Sequence, residues 1–160
     1  MNSKLLSVIT LGMIAVSSVL SAPQAFAAAP KAAKMATAAG KAVTLNIASN
    51  GEQMMYNKKE LSVPANSKVT VIFQNKSAAL KHNWVLVKAG KGDKVAAAGI
   101  AAGESKGYVV ASSDVIAYTK LSAAGKKVQV TFQAPKKGTY DFLCTSPGHN
   151  AIMKGKFVVK

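Results

Sequence analysis

The sequence predicts an all-β sandwich in one domain spanning residues 42–160, and three observations carry the reading. First, apolar residues recur with a period of two in three separate runs: Val43, Leu45 and Ile47; Val69, Val71 and Phe73; Val128, Val130 and Phe132. Their intervening neighbours, such as Thr44, Asn46, Thr70, Gln129 and Thr131, are mostly polar. Second, turn sequences separate the runs: Pro64-Ala65-Asn66-Ser67, Ala89-Gly90-Lys91-Gly92-Asp93 and Pro135-Lys136-Lys137-Gly138. Third, no internal repeat or mid-chain linker breaks the pattern. Short strands with one wet and one dry face bury that dry face by stacking as two sheets.

Taken from the start of the chain, Met1-Asn2-Ser3-Lys4 leads into an apolar stretch from Leu5 to Leu20, and Ala25-Phe26-Ala27 supplies a small-residue cleavage site. Residues 1–27 therefore read as a secretory signal peptide, cleaved after Ala27. A membrane anchor is the alternative, but Ser17, Ser18 and Ser21 thin the apolar run and no basic cluster follows it. Residues 28–41 (AAPKAAKMATAAGK) have little to bury and read as a flexible segment. Within the domain, His82 opens a strongly apolar strand through Trp84-Val85-Leu86-Val87. The Ala/Gly-rich stretch from Ala96 to Gly107 is weakly patterned: either a loop or a short helical flap, placed within 94–115. In the last hairpin Tyr140, Phe142 and Cys144 share one side of a strand, so the thiol points inward at the strand end.

Composition narrows the function. The chain has 160 residues, 49% of them hydrophobic and 6% aromatic, which suits one domain with appendages and not a multidomain enzyme. One cysteine excludes an intramolecular disulfide, and two histidines exclude any site that needs three imidazoles. A free thiol in an exported protein is a liability, so Cys144 is expected to have a dedicated partner. All 21 basic residues are lysine; between 42 and 160 seventeen lysines face six acids, a net charge of +11. That excess favours an acidic partner or an anionic membrane surface. Nucleic acid is not expected, because arginine is absent and aromatics are few.

The segment from Thr139 to Met153 (TYDFLCTSPGHNAIM) holds a thiol, an imidazole and a thioether at spacings of five and four: Cys144, His149 and Met153. His82 is the only other imidazole, and a sandwich can bring it beside that loop. Two imidazoles and a thiolate in a trigonal plane, with a weak axial thioether, describe a blue-copper electron-transfer centre. Taken singly, each residue has an ordinary reading: a buried cysteine as a small hydrophobe, a strand-end histidine as a structural group, a methionine as core. Their joint spacing favours ligation.

Three segments carry a resemblance to the cupredoxins of the azurin/auracyanin type: His82-Asn83-Trp84-Val85-Leu86, Val115 to Leu121 (VIAYTKL), and Cys144 to Gly155 (CTSPGHNAIMKG). The resemblance runs through most of 42–160. It implies an eight-stranded Greek-key sandwich and one type 1 copper, with His82, Cys144 and His149 as equatorial ligands and Met153 as the axial one. It also implies that Asn83 ties the His82 loop to the Cys144 loop through the Thr145 backbone, and that Pro147 limits hydrogen bonding to the sulfur. The chain departs from azurins at Lys81, where they have a glycine whose carbonyl approaches the metal, at Tyr118, where a histidine is common, and in lacking their disulfide.

The function expected is an exported, periplasmic, monomeric electron carrier, not an enzyme, which shuttles single electrons between larger redox proteins with acidic docking surfaces. Copper binding and transport is the alternative. Copper oxidases and nitrite reductases need further histidine-ligated copper, which two histidines cannot supply.

Overall fold

A computed structural model of the chain describes residues 40–160. The expected signal peptide and nearly all of the 28–41 segment lie outside the described residues. Among the described residues nine strands form: β1 (Ala42–Asn50), β2 (Gln53–Tyr56), β3 (Glu60–Val63), β4 (Lys68–Gln74), β5 (Val85–Val87), β6 (Val115–Tyr118), β7 (Lys127–Gln133), β8 (Gly138–Leu143) and β9 (Lys154–Val159). One sheet runs β2-β1-β4-β7 and the other β3-β9-β8-β5-β6. The sandwich is the fold class read from the periodicity. Nine strands appear in place of about eight because the segment from Gln53 to Val63 changes sheets: β2 pairs with β1, and after the bend at Asn57 β3 pairs with β9.

The three alternating runs lie in register. Val43, Leu45 and Ile47 stand opposite Val69, Val71 and Phe73 on the parallel neighbour β4, and these face Phe132, Val130 and Val128 on antiparallel β7. A slip of one residue would turn every one of these side chains to water, so the core fixes the register. From the other sheet Leu61, Val63, Leu86, Phe142, Phe157 and Val159 close the layer, with Trp84 fully buried among them. The rings of Trp84, Phe132, Phe142 and Phe157 pack with centroids 5.9–6.3 Å apart.

The weakly patterned stretch is helical. Helix α1 (Gly92–Ala102) lies over the outer face of the second sheet, where Val95 and Ala96 meet Val85, Val87, Leu143 and Val109. This second core explains why β5 is apolar on both faces: Leu86 enters the sandwich while Val85 and Val87 lie under the helix. Contact is close, for a Cβ on Gly99 would stand 2.0 Å from the Tyr108 carbonyl oxygen. A glycine is needed there for the helix to lie against that strand of chain.

The loops at 51–52, 75–84, 119–126 and 144–153 all leave the same end of the sandwich, after β1, β4, β6 and β8. Every residue singled out for metal binding lies in two of these loops. Among the described residues no helix is long and apolar enough to cross a membrane.

Candidate metal centre

His82 is held before β5 by a two-way backbone bridge: its N–H donates to the Ser122 carbonyl at 3.1 Å and its carbonyl accepts from the Ser122 N–H at 2.7 Å. Buried Asn75 reinforces the bridge by donating to the Leu80 and Ser122 carbonyls at 2.7 and 3.0 Å, so the ends of two loops share one amide side chain. Cys144 follows directly on β8. The chain then turns at Ser146-Pro147-Gly148-His149, where the His149 N–H reaches the Ser146 carbonyl at 3.0 Å and Gly148 takes φ +80°. Proline at the second position and a left-handed glycine at the third make this a type II turn. The loop closes where the Cys144 N–H donates to the Met153 carbonyl at 2.9 Å and the Met153 N–H to the His149 carbonyl at 2.8 Å.

These loops bring three of the four candidates to one point. The Nδ1 atoms of His82 and His149 lie 3.1 Å apart, and the Cys144 Sγ lies 3.8 and 3.6 Å from them. Donors that share one ion at about 2.0–2.3 Å each stand about 3–4 Å from one another, so the triangle has the size of a coordination plane. Cys144 and His82 are fully buried and His149 is 8% exposed. Met153 is fully buried and packs in the main core cluster that includes Cys144, bound to it through the backbone.

The protonation states suit a soft cation. Burial lowers both histidines, His82 to about 4 with His149 adding repulsion, so at neutral pH both rings keep a lone pair. Burial raises the Cys144 thiol, while amides of Asn83 and Ser146 and the Ser146 hydroxyl pull it back down. A cation held by the three atoms would displace the thiol proton and compensate the buried charge. The His82 Nε2 is buried with no hydrogen-bond partner among the described residues, which leaves the Nδ1 side to stabilise the ring. The donor set fits a metal ion.

A pH dependence follows for the metal-free protein. The unfolded chain protonates His82 near 6.5, whereas the folded chain resists until about 4. As pH falls through this window the unfolded state binds the extra proton, so stability is full above about pH 7 and is lost toward pH 4. The denaturant midpoint of the metal-free protein, followed from pH 7 to 4, is expected to fall; a flat profile would contradict neutral buried imidazoles.

Around the donors, the Asn83 tether expected from the resemblance is present. Its Oδ1 accepts from the Thr145 N–H at 2.9 Å, and its Nδ2 donates to the Thr145 hydroxyl at 2.8 Å and the Gly107 carbonyl at 2.9 Å. The Lys81 carbonyl accepts a hydrogen bond from the Ser146 hydroxyl at 3.0 Å. Tyr118 is 42% exposed on β6, away from the donors' buried pocket. Met54 and Met55 are both half-buried on β2.

Sequence reasoning missed Tyr56. Its ring is buried edge-on to Phe73 and Phe142, and its hydroxyl donates to the Asn83 carbonyl at 2.6 Å. Burial pushes the phenol well above its ordinary range, which keeps it a donor. The sequence offered one signal: a tyrosine at an inward strand position, whose hydroxyl must find a partner.

A family model described as copper binding proteins, plastocyanin/azurin family, matches residues 42–160. Auracyanin-A of Chloroflexus aurantiacus is 45% identical over 120 residues, 73% of this chain and 74% of that protein. An azurin of Pseudomonas chlororaphis is 38% identical over 118 residues, 68% of this chain and 92% of its own length. Among solved structures, that of auracyanin A, described as a "blue" copper protein, superposes with a TM-score of 0.72 at 44% identity, covering 74% of this chain and 99% of its own. Dithionite-reduced auracyanin of Roseiflexus castenholzii gives 0.71 at 43% identity, with 76% and 99% covered.

Proposed function

The chain belongs to the plastocyanin/azurin family of copper-binding proteins, and from that membership we propose that it carries single electrons between larger redox proteins through one mononuclear type 1 copper. The residues that would hold it are His82, Cys144, His149 and Met153. The observation that carries the reading is the triangle of two Nδ1 atoms and one Sγ, 3.1–3.8 Å on a side, sealed inside the loop end of the sandwich. Copper bound there supplies a one-electron Cu(I)/Cu(II) couple tuned by a strong thiolate and a weak thioether.

The protein's own part is to hold the donors still. Asn83 joins the two ligand loops, the Ser122 bridge fixes His82, and the Cys144–Met153 backbone bond closes the other loop. Small movement between oxidation states keeps the electron-transfer barrier low. His149, the ligand nearest solvent, is the exit for the electron, and half-exposed Ile152 beside it offers apolar contact to a docking partner.

No catalytic step is assigned, because the thiol and imidazoles that could serve as nucleophile and base are the proposed ligands. Copper transport favours an exchangeable, accessible site, and the full burial of Cys144, His82 and Met153 argues against it. Residues 1–27 support export to the periplasm, and the lysine excess supports partners with acidic docking surfaces. A monomer is proposed.

The test is a visible absorption and EPR spectrum of the copper-loaded protein. An intense thiolate-to-copper band with a small copper hyperfine splitting is expected; a pale sample with ordinary tetragonal signals would overturn the reading and favour copper handling. Met153→Leu is expected to keep the colour and raise the potential, since removing the thioether weakens ligation of Cu(II) more than of Cu(I).

A further inference from the structure

Beside the ligand loops, on the outer surface of the β2-β1-β4-β7 sheet, lies a groove of about 260 Å³ at the end where β1 and β4 finish and β7 begins. Lys58, Lys76 and Lys127 line it, and Gln74 and Asn57 add amide side chains over a floor that includes Ile72. All three lysines are exposed, and none makes an ion pair or side-chain hydrogen bond among the described residues.

The domain's carboxylates are placed elsewhere. Glu104, Asp114 and Asp141 pair with Lys81, Lys94 and Lys156, and Asp93 accepts from Asn150. Glu52, in the turn after β1, is held by the Ser77 hydroxyl and the Ala78 N–H. Glu60 opens β3, and no acid lines the groove. Three ammonium groups with no carboxylate partner thus line one concave surface, which focuses a positive potential.

Position gives the groove a use. Gln74 ends β4 at the groove, and the loop that follows runs through Asn75, with its two hydrogen bonds to the His82 anchor, to His82 itself. The basic groove and the exit at His149 therefore occupy the same end of the sandwich.

We propose that the groove formed by Lys58, Lys76 and Lys127 is an anion-docking site that receives a cluster of carboxylates on the redox partner and so orients the partner against the electron exit. The inference rests on the electron-carrier reading for the nature of the partner, though the groove is testable without copper. Exposed charges of this kind act on encounter rate more than on affinity, and their effect is screened within about 8–10 Å at moderate salt.

Two measurements test it, the first on the copper-loaded protein and the second on the metal-free protein. The first is oxidation of the reduced protein by hexacyanoferrate(III), in which one electron passes from Cu(I) to Fe(III) and no bond forms or breaks. A Lys58→Glu, Lys76→Glu, Lys127→Glu variant is expected to react about tenfold more slowly at low ionic strength, with the difference gone near 1 M salt. A charge-matched control, Lys68→Glu, Lys136→Glu, Lys137→Glu, alters the opposite end of the sandwich and is expected to lose less than twofold. Equal slowing in the two variants would mean that net charge alone acts and would overturn the site. The second is an NMR titration of the metal-free protein with hexaglutamate. Saturable shifts at Asn57, Gln74 and Lys127, lost in the first variant, support the proposal. Shifts spread over the whole lysine surface, or binding to phosphatidylglycerol vesicles without binding to hexaglutamate, would overturn it. A missing blue band in the unaltered protein would sink the electron-carrier reading separately, since the titration does not use the metal.

Discussion

Cys144→Ser is expected to remove the visible charge-transfer band completely while leaving the fold in place. The band needs a sulfur orbital close in energy to the metal's, and a serine oxygen offers a hard donor that stays protonated at neutral pH. The side chains are nearly the same size, and the site is fully buried between two imidazole nitrogens 3.6 and 3.8 Å from the sulfur. The Asn83 and Ser146 amides and the Ser146 hydroxyl, which the sulfur faces, remain to partner the new hydroxyl, and the metal-free variant is expected to unfold within about 1 kcal/mol of the parent. Copper affinity, measured by competition with a chelator, is expected to fall at least about 100-fold, since a soft ligand is lost from a three-donor plane. Circular dichroism of the metal-free form checks the fold. A folded variant that retains the band would remove Cys144 from the ligand set.

Asn83→Ala is expected to be the most damaging change among residues that do not themselves bind metal. Asn83 satisfies the Thr145 N–H, the Thr145 hydroxyl and the Gly107 carbonyl, and all its partners lie more than twenty residues away in sequence. Alanine leaves the fully buried Thr145 N–H and hydroxyl unpaired, beside the half-buried Gly107 carbonyl. At about 1–3 kcal/mol for each orphaned buried group, and with some relaxation, a loss of about 2–4 kcal/mol is expected. Against a total near 5–15 kcal/mol, that is a large fraction. Denaturant unfolding of metal-free and copper-loaded protein measures it. Thr145→Val, which exchanges only the hydroxyl for a methyl group, is expected to cost about 1 kcal/mol and so isolates the share carried by the amide tether. Because the tether aligns the two ligand loops, Asn83→Ala is also expected to widen the copper hyperfine splitting. A stability loss with an unchanged EPR spectrum would make Asn83 a fold residue alone.

The parts of this protein that were legible in the sequence are those written in local periodicity. Alternation at Val43–Ile47, Val69–Phe73 and Val128–Phe132 identified strands with one dry face, and the register of β1, β4 and β7 places those faces in a common core. The loop from Cys144 to Met153 was legible from the spacing of its thiol, imidazole and thioether; the type II turn that sets His149 after Cys144 came from the structure. The stretch from Ala96 to Gly107 was not, because its alanines and glycines carry little periodic contrast. What makes it a helix is the outward apolar face of Val85, Val87 and Leu143, which α1 covers. The change of sheets at Asn57 was equally hidden, since nothing between Gln53 and Val63 marks which sheet each half joins.

The sequence by itself determined the proposed donor types, the spacing of Cys144, His149 and Met153 along one loop, the sandwich that carries them and the excess of lysine. Tertiary structure alone decided that His82 comes within 3.1 Å of His149 across 67 residues, that Tyr56 braces the Asn83 carbonyl, and that Lys58, Lys76 and Lys127 share a groove with no carboxylate. The division is physical. Turn preference and strand alternation act between neighbours in the chain, where the backbone itself sets the distance. A hydrogen bond or a charge cluster between distant segments exists only once the two sheets have packed and paid the entropy of closing the loops between them.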